Sequence, residues 1–118
     1  MKQATVVFDL GGVVFNWQPT VLLRQVLPGR AADEASASHW VREIFQTFDP
    51  AGDWAQFDLG AVEPGQLATR IAQRTGLARD EVASVIDGVA PHMHVKQDTV
   101  KLIHDLNAHG HRLLYLSN

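Results

Sequence analysis

The sequence predicts an α/β protein: two apolar strands paired in parallel and separated by a long run of helices. Three observations predict it. A short β-branched run, Val6-Val7-Phe8, ends in a carboxylate, Asp9, with Gly11 and Gly12 just behind it. A second such run, Leu113-Leu114-Tyr115-Leu116, ends in Ser117-Asn118. Between residues 17 and 91 apolar side chains recur at threes and fours, with no convincing strand. A right-handed crossover between parallel strands would bring both strand ends, Asp9 and Ser117, to the same edge of the sheet, where α/β proteins bind ligands.

The first stretch, Thr5–Phe15, reads as a buried strand whose chemistry sits at Asp9. Its glycines let the backbone turn tightly, and a second apolar run, Val13-Val14-Phe15, follows them. Asn16-Trp17-Gln18-Pro19 punctuates, and Pro19 suits the first turn of a helix carrying Val21, Leu22, Leu23, Val26 and Leu27. From Asp33 the period is helical again through Trp40, Val41, Ile44, Phe45 and Phe48, until Asp49–Asp53 breaks it. Trp54–Leu59 is a short helical turn with Gly60 as its stop. Glu63-Pro64-Gly65 opens a helix that Gly76 closes; another runs from Arg79 to Pro91. Asp98 or Thr99 is expected to cap a helix bearing Val100, Ile103 and Leu106, which ends near His109-Gly110.

Composition narrows the function. The chain has 118 residues, enough for one domain or part of one, and its 46% hydrophobic and 19% charged content excludes disorder. A formal net charge of -3, with no Lys/Arg cluster, argues against nucleic acid as a partner. Without cysteines there are no disulfides and no thiolate metal sites. No stretch is apolar enough to span a bilayer and no signal peptide is visible, so no membrane partner and a cytoplasmic location are the expectations.

In order, with helices between them, FDLGGVV and LLYLSN resemble the first two signature motifs of the haloacid dehalogenase-like hydrolases. The run LNAHGHRLLYLSN is similar to the family's approach to its second motif, and residues 17–91 are similar to the helical cap many members insert after the first. Closest is the sugar-phosphatase branch whose first motif reads Asp, apolar, Gly. The resemblance covers the whole chain. It implies a Rossmann-like parallel-sheet core over 1–16 and 92–118, of which only the first two strands are present, and a helical cap over 17–91. It also implies a Mg²⁺-dependent phosphatase acting on a small phosphorylated metabolite such as a sugar phosphate, through an aspartyl-phosphate at Asp9.

In that reading Asp9 and the backbone carbonyl of Gly11 are the metal ligands. Leu10, Gly11, Gly12, Ser117 and Asn118 hold the phosphate. Chemistry makes the assignment reasonable: a carboxylate attacks an anionic ester only when a divalent cation neutralises both, and Mg²⁺ takes oxygen ligands.

Two departures bear on activity. Many family members place a second aspartate two residues after the nucleophile as general acid and base, and here that position is Gly11. The missing proton donor is worth roughly 10²–10⁴-fold in rate and favours good leaving groups, such as an anomeric phosphate. Asp49, Asp53 and Asp58 are cap carboxylates available for that role. In addition, the family's later lysine and acidic pair do not occur within these 118 residues after the second motif. The chain is therefore expected to be a truncated, inactive portion that holds Mg²⁺ weakly and pairs with the missing C-terminal part or with a second copy. A 2-haloacid dehalogenase, for which Gly11 is the wrong residue, and a non-catalytic phosphate-binding fragment are the alternatives. His92 and His94 are expected at the surface, as is the Arg70–Arg74 pair; Trp17 is a candidate wall of the substrate entrance.

Overall fold

The structure, a computed structural model, describes residues 2–117. The elements are β1 (Thr5–Asp9), α1 (Pro19–Val26), α2 (Glu34–Phe45), α3 (Asp53–Asp58), α4 (Pro64–Thr75), α5 (Arg79–His92), α6 (Gln97–Ala108) and β2 (Arg112–Leu116), with a 3₁₀ turn at Gln46–Phe48. The protein is thus mixed α/β, mostly helical, with a two-stranded parallel sheet. Two compact units divide the chain: one is Gln18–Val89, and the other takes in the segment up to Trp17 and the segment from Ala90 onward.

The helical unit builds a dense core. Pro19 stands in the first turn of α1, where its missing N–H costs nothing. Asp33 caps α2 in a reciprocal box with Ser36, and Glu63 does the same for α4 with Gln66. Gly76 ends α4 with φ +79°, which a Cβ would strain. Leu22, Leu23, Ile44, Phe45, Leu67, Ile71, Val82 and Val85 meet inside, each almost wholly removed from water. Phe45 stacks on Phe48 at 5.3 Å and receives the edge of Trp54 at 4.5 Å.

Three expectations about the helices are corrected. Phe48 does not continue α2: Gln46, Thr47 and Phe48 all lie in the left-handed region, at φ 52°, 52° and 56°. The segment is held there by Gln46 Oε1, which accepts the Asp53 N–H at 2.9 Å, and by the Thr47 hydroxyl on the Gln46 carbonyl. Arg74 is no idle surface charge: it pairs with Asp53 at 3.0 Å and donates to the carbonyls of Glu43 and Ile44. And α5 runs one residue past Pro91, which stands in its last turn, where the lost N–H bond and the ring's crowding of the preceding turn end the helix at His92.

The other unit is thinner. β1 and β2 pair in parallel with Thr5 opposite Arg112 and Asp9 opposite Leu116, and α6 packs against β2. Phe8 is its buried apolar residue among those described. On the opposite face Val7, Leu114 and Leu116 remain 56%, 43% and 73% exposed. The expectation of a buried strand through Phe15 is therefore corrected: β1 stops at Asp9, and most of it is open to solvent. No helix among the described residues is long and apolar enough to cross a membrane.

Candidate functional site

β1 ends where its sequence stops favouring extension, at Asp9-Leu10-Gly11-Gly12. Gly12 takes φ +79°, a conformation that costs other residues roughly 1–2 kcal/mol, and it folds the chain back on itself. The Leu10 carbonyl accepts the N–H groups of Val13, Val14 and Phe15 at 3.3, 3.0 and 2.9 Å. Gly12 N–H donates to the Phe15 carbonyl at 2.8 Å. Val13–Phe15, apolar enough to read as a strand, are therefore the closing arm of a tight turn.

The turn is fastened from outside by the segment that leads into α6. Asn16 N–H donates to the His94 carbonyl at 2.7 Å, and Lys96 N–H to the Val14 carbonyl at 2.8 Å. The Thr99 hydroxyl donates to the Val13 carbonyl at 2.6 Å, and Lys96 Nζ lies 3.4 Å from the Gly12 carbonyl. Neither Asp98 nor Thr99 caps α6, as the sequence suggested. Lys96 occupies the N-cap without a side-chain bond, and Thr99, in the first turn, turns its hydroxyl to Val13 instead.

Once these bonds are made, the carbonyls of Leu10, Gly12, Val13, Val14 and Phe15 are all engaged. Gly11 presents the carbonyl of this turn that has no donor among the described residues. The Asp9 carboxylate likewise has no side-chain hydrogen bond among them and is exposed. The Gly12 N–H, in contrast, is committed to Phe15 and is not free to meet an anion.

Ser117 follows directly on Leu116, the partner of Asp9, so it stands at the same end of the sheet, one strand spacing (~4.8 Å) across. Asn118 lies outside the described residues. A Cβ built on Gly11 meets nothing within 4 Å, so the missing side chain at that position leaves open space.

Asp9 Oδ and the Gly11 carbonyl are hard oxygen donors of the kind Mg²⁺ takes. Two such ligands leave most of its octahedron to water and to a substrate's phosphate. Among the described residues no group of three or more His, Asp or Glu converges on one point.

The remaining sequence candidates are placed as follows. Asp49, Asp53 and Asp58 belong to the helical unit. Asp49 Oδ1 accepts the Ala51 N–H, Asp53 is held by Arg74, and burial pushes the Asp58 carboxyl up. Trp17 meets the edge of His92 with ring centroids 6.0 Å apart. His92, expected at the surface, is buried at 9% exposure, and that burial, aided by the charge of His94, holds its imidazole below the ordinary histidine value. Nothing in the sequence signalled the pins from Lys96 and Thr99, since their partners lie 84 and 86 residues away.

No protein-family model matches the chain, and no curated protein matches it.

Proposed function

We propose that Asp9 is the nucleophile of a phosphatase of the haloacid dehalogenase-like kind, acting on a small phosphorylated metabolite such as a sugar phosphate. The observation that carries this reading is the turn after β1. It leaves one carboxylate, Asp9, and, two residues on, one carbonyl, Gly11, without a hydrogen-bond donor among the described residues, with Ser117 at the same sheet end. These are the residues that the two sequence motifs single out.

In the reaction an Asp9 oxygen attacks phosphorus and the ester P–O bond breaks. The leaving alkoxide takes its proton from water, because Gly11 has none to give. Water then attacks the phosphorus of the aspartyl-phosphate, releasing inorganic phosphate and restoring the carboxylate. Bound Mg²⁺, held by Asp9 and the Gly11 carbonyl, would neutralise charge on nucleophile and ester. The Ser117 hydroxyl would hold a phosphate oxygen; Leu10, Gly11 and Asn118 are proposed to contribute backbone N–H groups.

The test is Mg²⁺-dependent turnover of p-nitrophenyl phosphate. It is run on the full-length protein and on its Asp9→Asn variant. Turnover by the protein is expected, and its loss on Asp9→Asn. Turnover undiminished by Asp9→Asn would refute the reading.

The bare sheet face favours a second reading, association without catalysis. Val7, Leu114 and Leu116 are apolar, exposed, and share one face of a sheet with open edges. A monomer by light scattering at high concentration would count against it.

A further inference from the structure

We propose that Thr99 is a positioning residue for the turn that follows Asp9: its hydroxyl pins the Val13 carbonyl and so holds the closing arm, Val13–Phe15, against the Leu10–Gly12 turn. The part of this that concerns catalysis rests on the phosphatase reading; the part that concerns the turn does not.

Inside the turn, bonding alone does not fix the peptide planes. One oxygen, that of Leu10, serves three N–H groups, at 3.3, 3.0 and 2.9 Å. Donors that share an acceptor bind it less well than donors with one each, and the longest of the three belongs to Val13. With φ +79° at Gly12, the 12–13 peptide, whose N–H makes the longest of these bonds, is the easiest in the turn to rotate, whereas the 11–12 peptide is held by the Gly12 N–H on the Phe15 carbonyl at 2.8 Å. Rotating the 12–13 peptide would break the Val13 bond to Leu10 and loosen the turn. The bond from Thr99 Oγ1 at 2.6 Å opposes that rotation, because it fixes the carbonyl of Val13, the next one along.

A threonine in the first turn of a helix ordinarily spends its hydroxyl on its own helix end. Thr99 does not, although α6 has no side-chain cap. Its hydroxyl instead bridges 86 residues to the turn beside Asp9. The backbone bonds of Lys96 to Val14 and of Asn16 to His94 lie further out along the same arm and hold Val14–Asn16 in place. Thr99 is thus the side chain whose removal frees the turn while leaving the arm attached.

The experiment pairs Thr99→Val, which keeps shape and removes the hydroxyl, with Thr99→Ser, which keeps it. Amide hydrogen exchange at Gly12, Val13, Val14 and Phe15 is compared with that of mid-α6 amides as an internal reference. Thr99→Val is expected to speed exchange at Val13 and Val14 about fivefold, the effect of losing one neutral hydrogen bond, without moving the reference. Thr99→Ser is expected to match the unaltered protein. Exchange within twofold of the unaltered protein in Thr99→Val, or equal acceleration by Ser and Val, overturns the proposal. The unaltered protein is also a check should the valine variant not fold: its Val14 and Phe15 amides should exchange about tenfold more slowly than that of Gly11, and equal rates overturn the proposal.

In the full-length protein, Thr99→Val is expected to lower kcat on p-nitrophenyl phosphate about tenfold, with KM moved less than twofold, and serine to restore it. An unchanged kcat, where Asp9→Asn abolishes turnover, overturns the positioning role. Should Asp9→Asn leave turnover intact, it is the phosphatase reading that fails, and exchange alone decides the pin.

Discussion

The two units of this protein divide buried core and open polar groups unequally. Of the buried apolar residues among those described, fifteen lie between Leu22 and Val85 in the helical unit, and Phe8 stands for the other. The helical unit also holds the ion pairs that join separate elements, Arg74 to Asp53 and Arg30 to Glu81, whereas Lys101 and Asp105 of the other unit pair within α6. The unit with the parallel strands has the free carboxylate, the open carbonyl and the pinned turn. Its sheet leaves one face bare. Elements with few buried contacts open first, so this unit is expected to sit at the low end of local stability. What the comparison teaches is that the Asp9 turn depends on specific hydrogen bonds rather than on a core beneath it.

The largest test of that contrast is a pair of truncations. Phe45, 1% exposed and ringed by Trp54 and Phe48, should cost about 3–5 kcal/mol when changed to Ala, and that loss should appear in the urea transition followed by tryptophan fluorescence. Phe8→Ala should cost about half as much, because Phe8 packs on a sheet covered on one side. Equal costs would erase the difference between the units.

A smaller effect runs the other way. Thr47 sits at φ 52° in a run of three left-handed residues, and Thr47→Gly should stabilise by about 0.5–1 kcal/mol even after losing its hydroxyl's bond to Gln46. Thermal unfolding would read it as a raised Tm; a lowered Tm would mean the segment is not strained.

The mildest test concerns acid. Burial, and then the charge of His94, depress the His92 imidazole. The unfolded chain therefore takes up that proton more readily than the folded one. The contribution is fully present above the unfolded value near 6.5 and is lost as pH falls through the lowered folded value. Tm should drop on acidification from pH 7.5 to 5, and His92→Gln should flatten part of that slope.

Much of the fold could be read from the sequence, and the reasons are local. Pro19, Asp33, Glu63 and Gly76 mark helix ends by rules that involve only near neighbours. Asp9 and Ser117 could be singled out because each ends an apolar run. Other features depended on partners that no local pattern reveals. Val13-Val14-Phe15 has the composition of a strand and becomes a turn only because Gly12 reverses the chain and Leu10 captures its amides. Arg74 looks like a solvated charge until the α2 carbonyls arrive beside it. Thr99 looks like a cap until Val13 does. The left-handed run at 46–48 contradicts its own residue preferences and follows from Gln46's bond to Asp53.

The central claim is that Asp9 accepts a phosphoryl group, and the most direct measurement is to find it there. The full-length protein is mixed with Mg²⁺ and p-nitrophenyl phosphate, quenched in acid, reduced with borohydride and mapped by peptide mass spectrometry. The account predicts a Mg²⁺-dependent conversion of Asp9 to homoserine that is absent from Asp9→Asn. Turnover accompanied by an unmodified Asp9, or by modification of another residue, would contradict it.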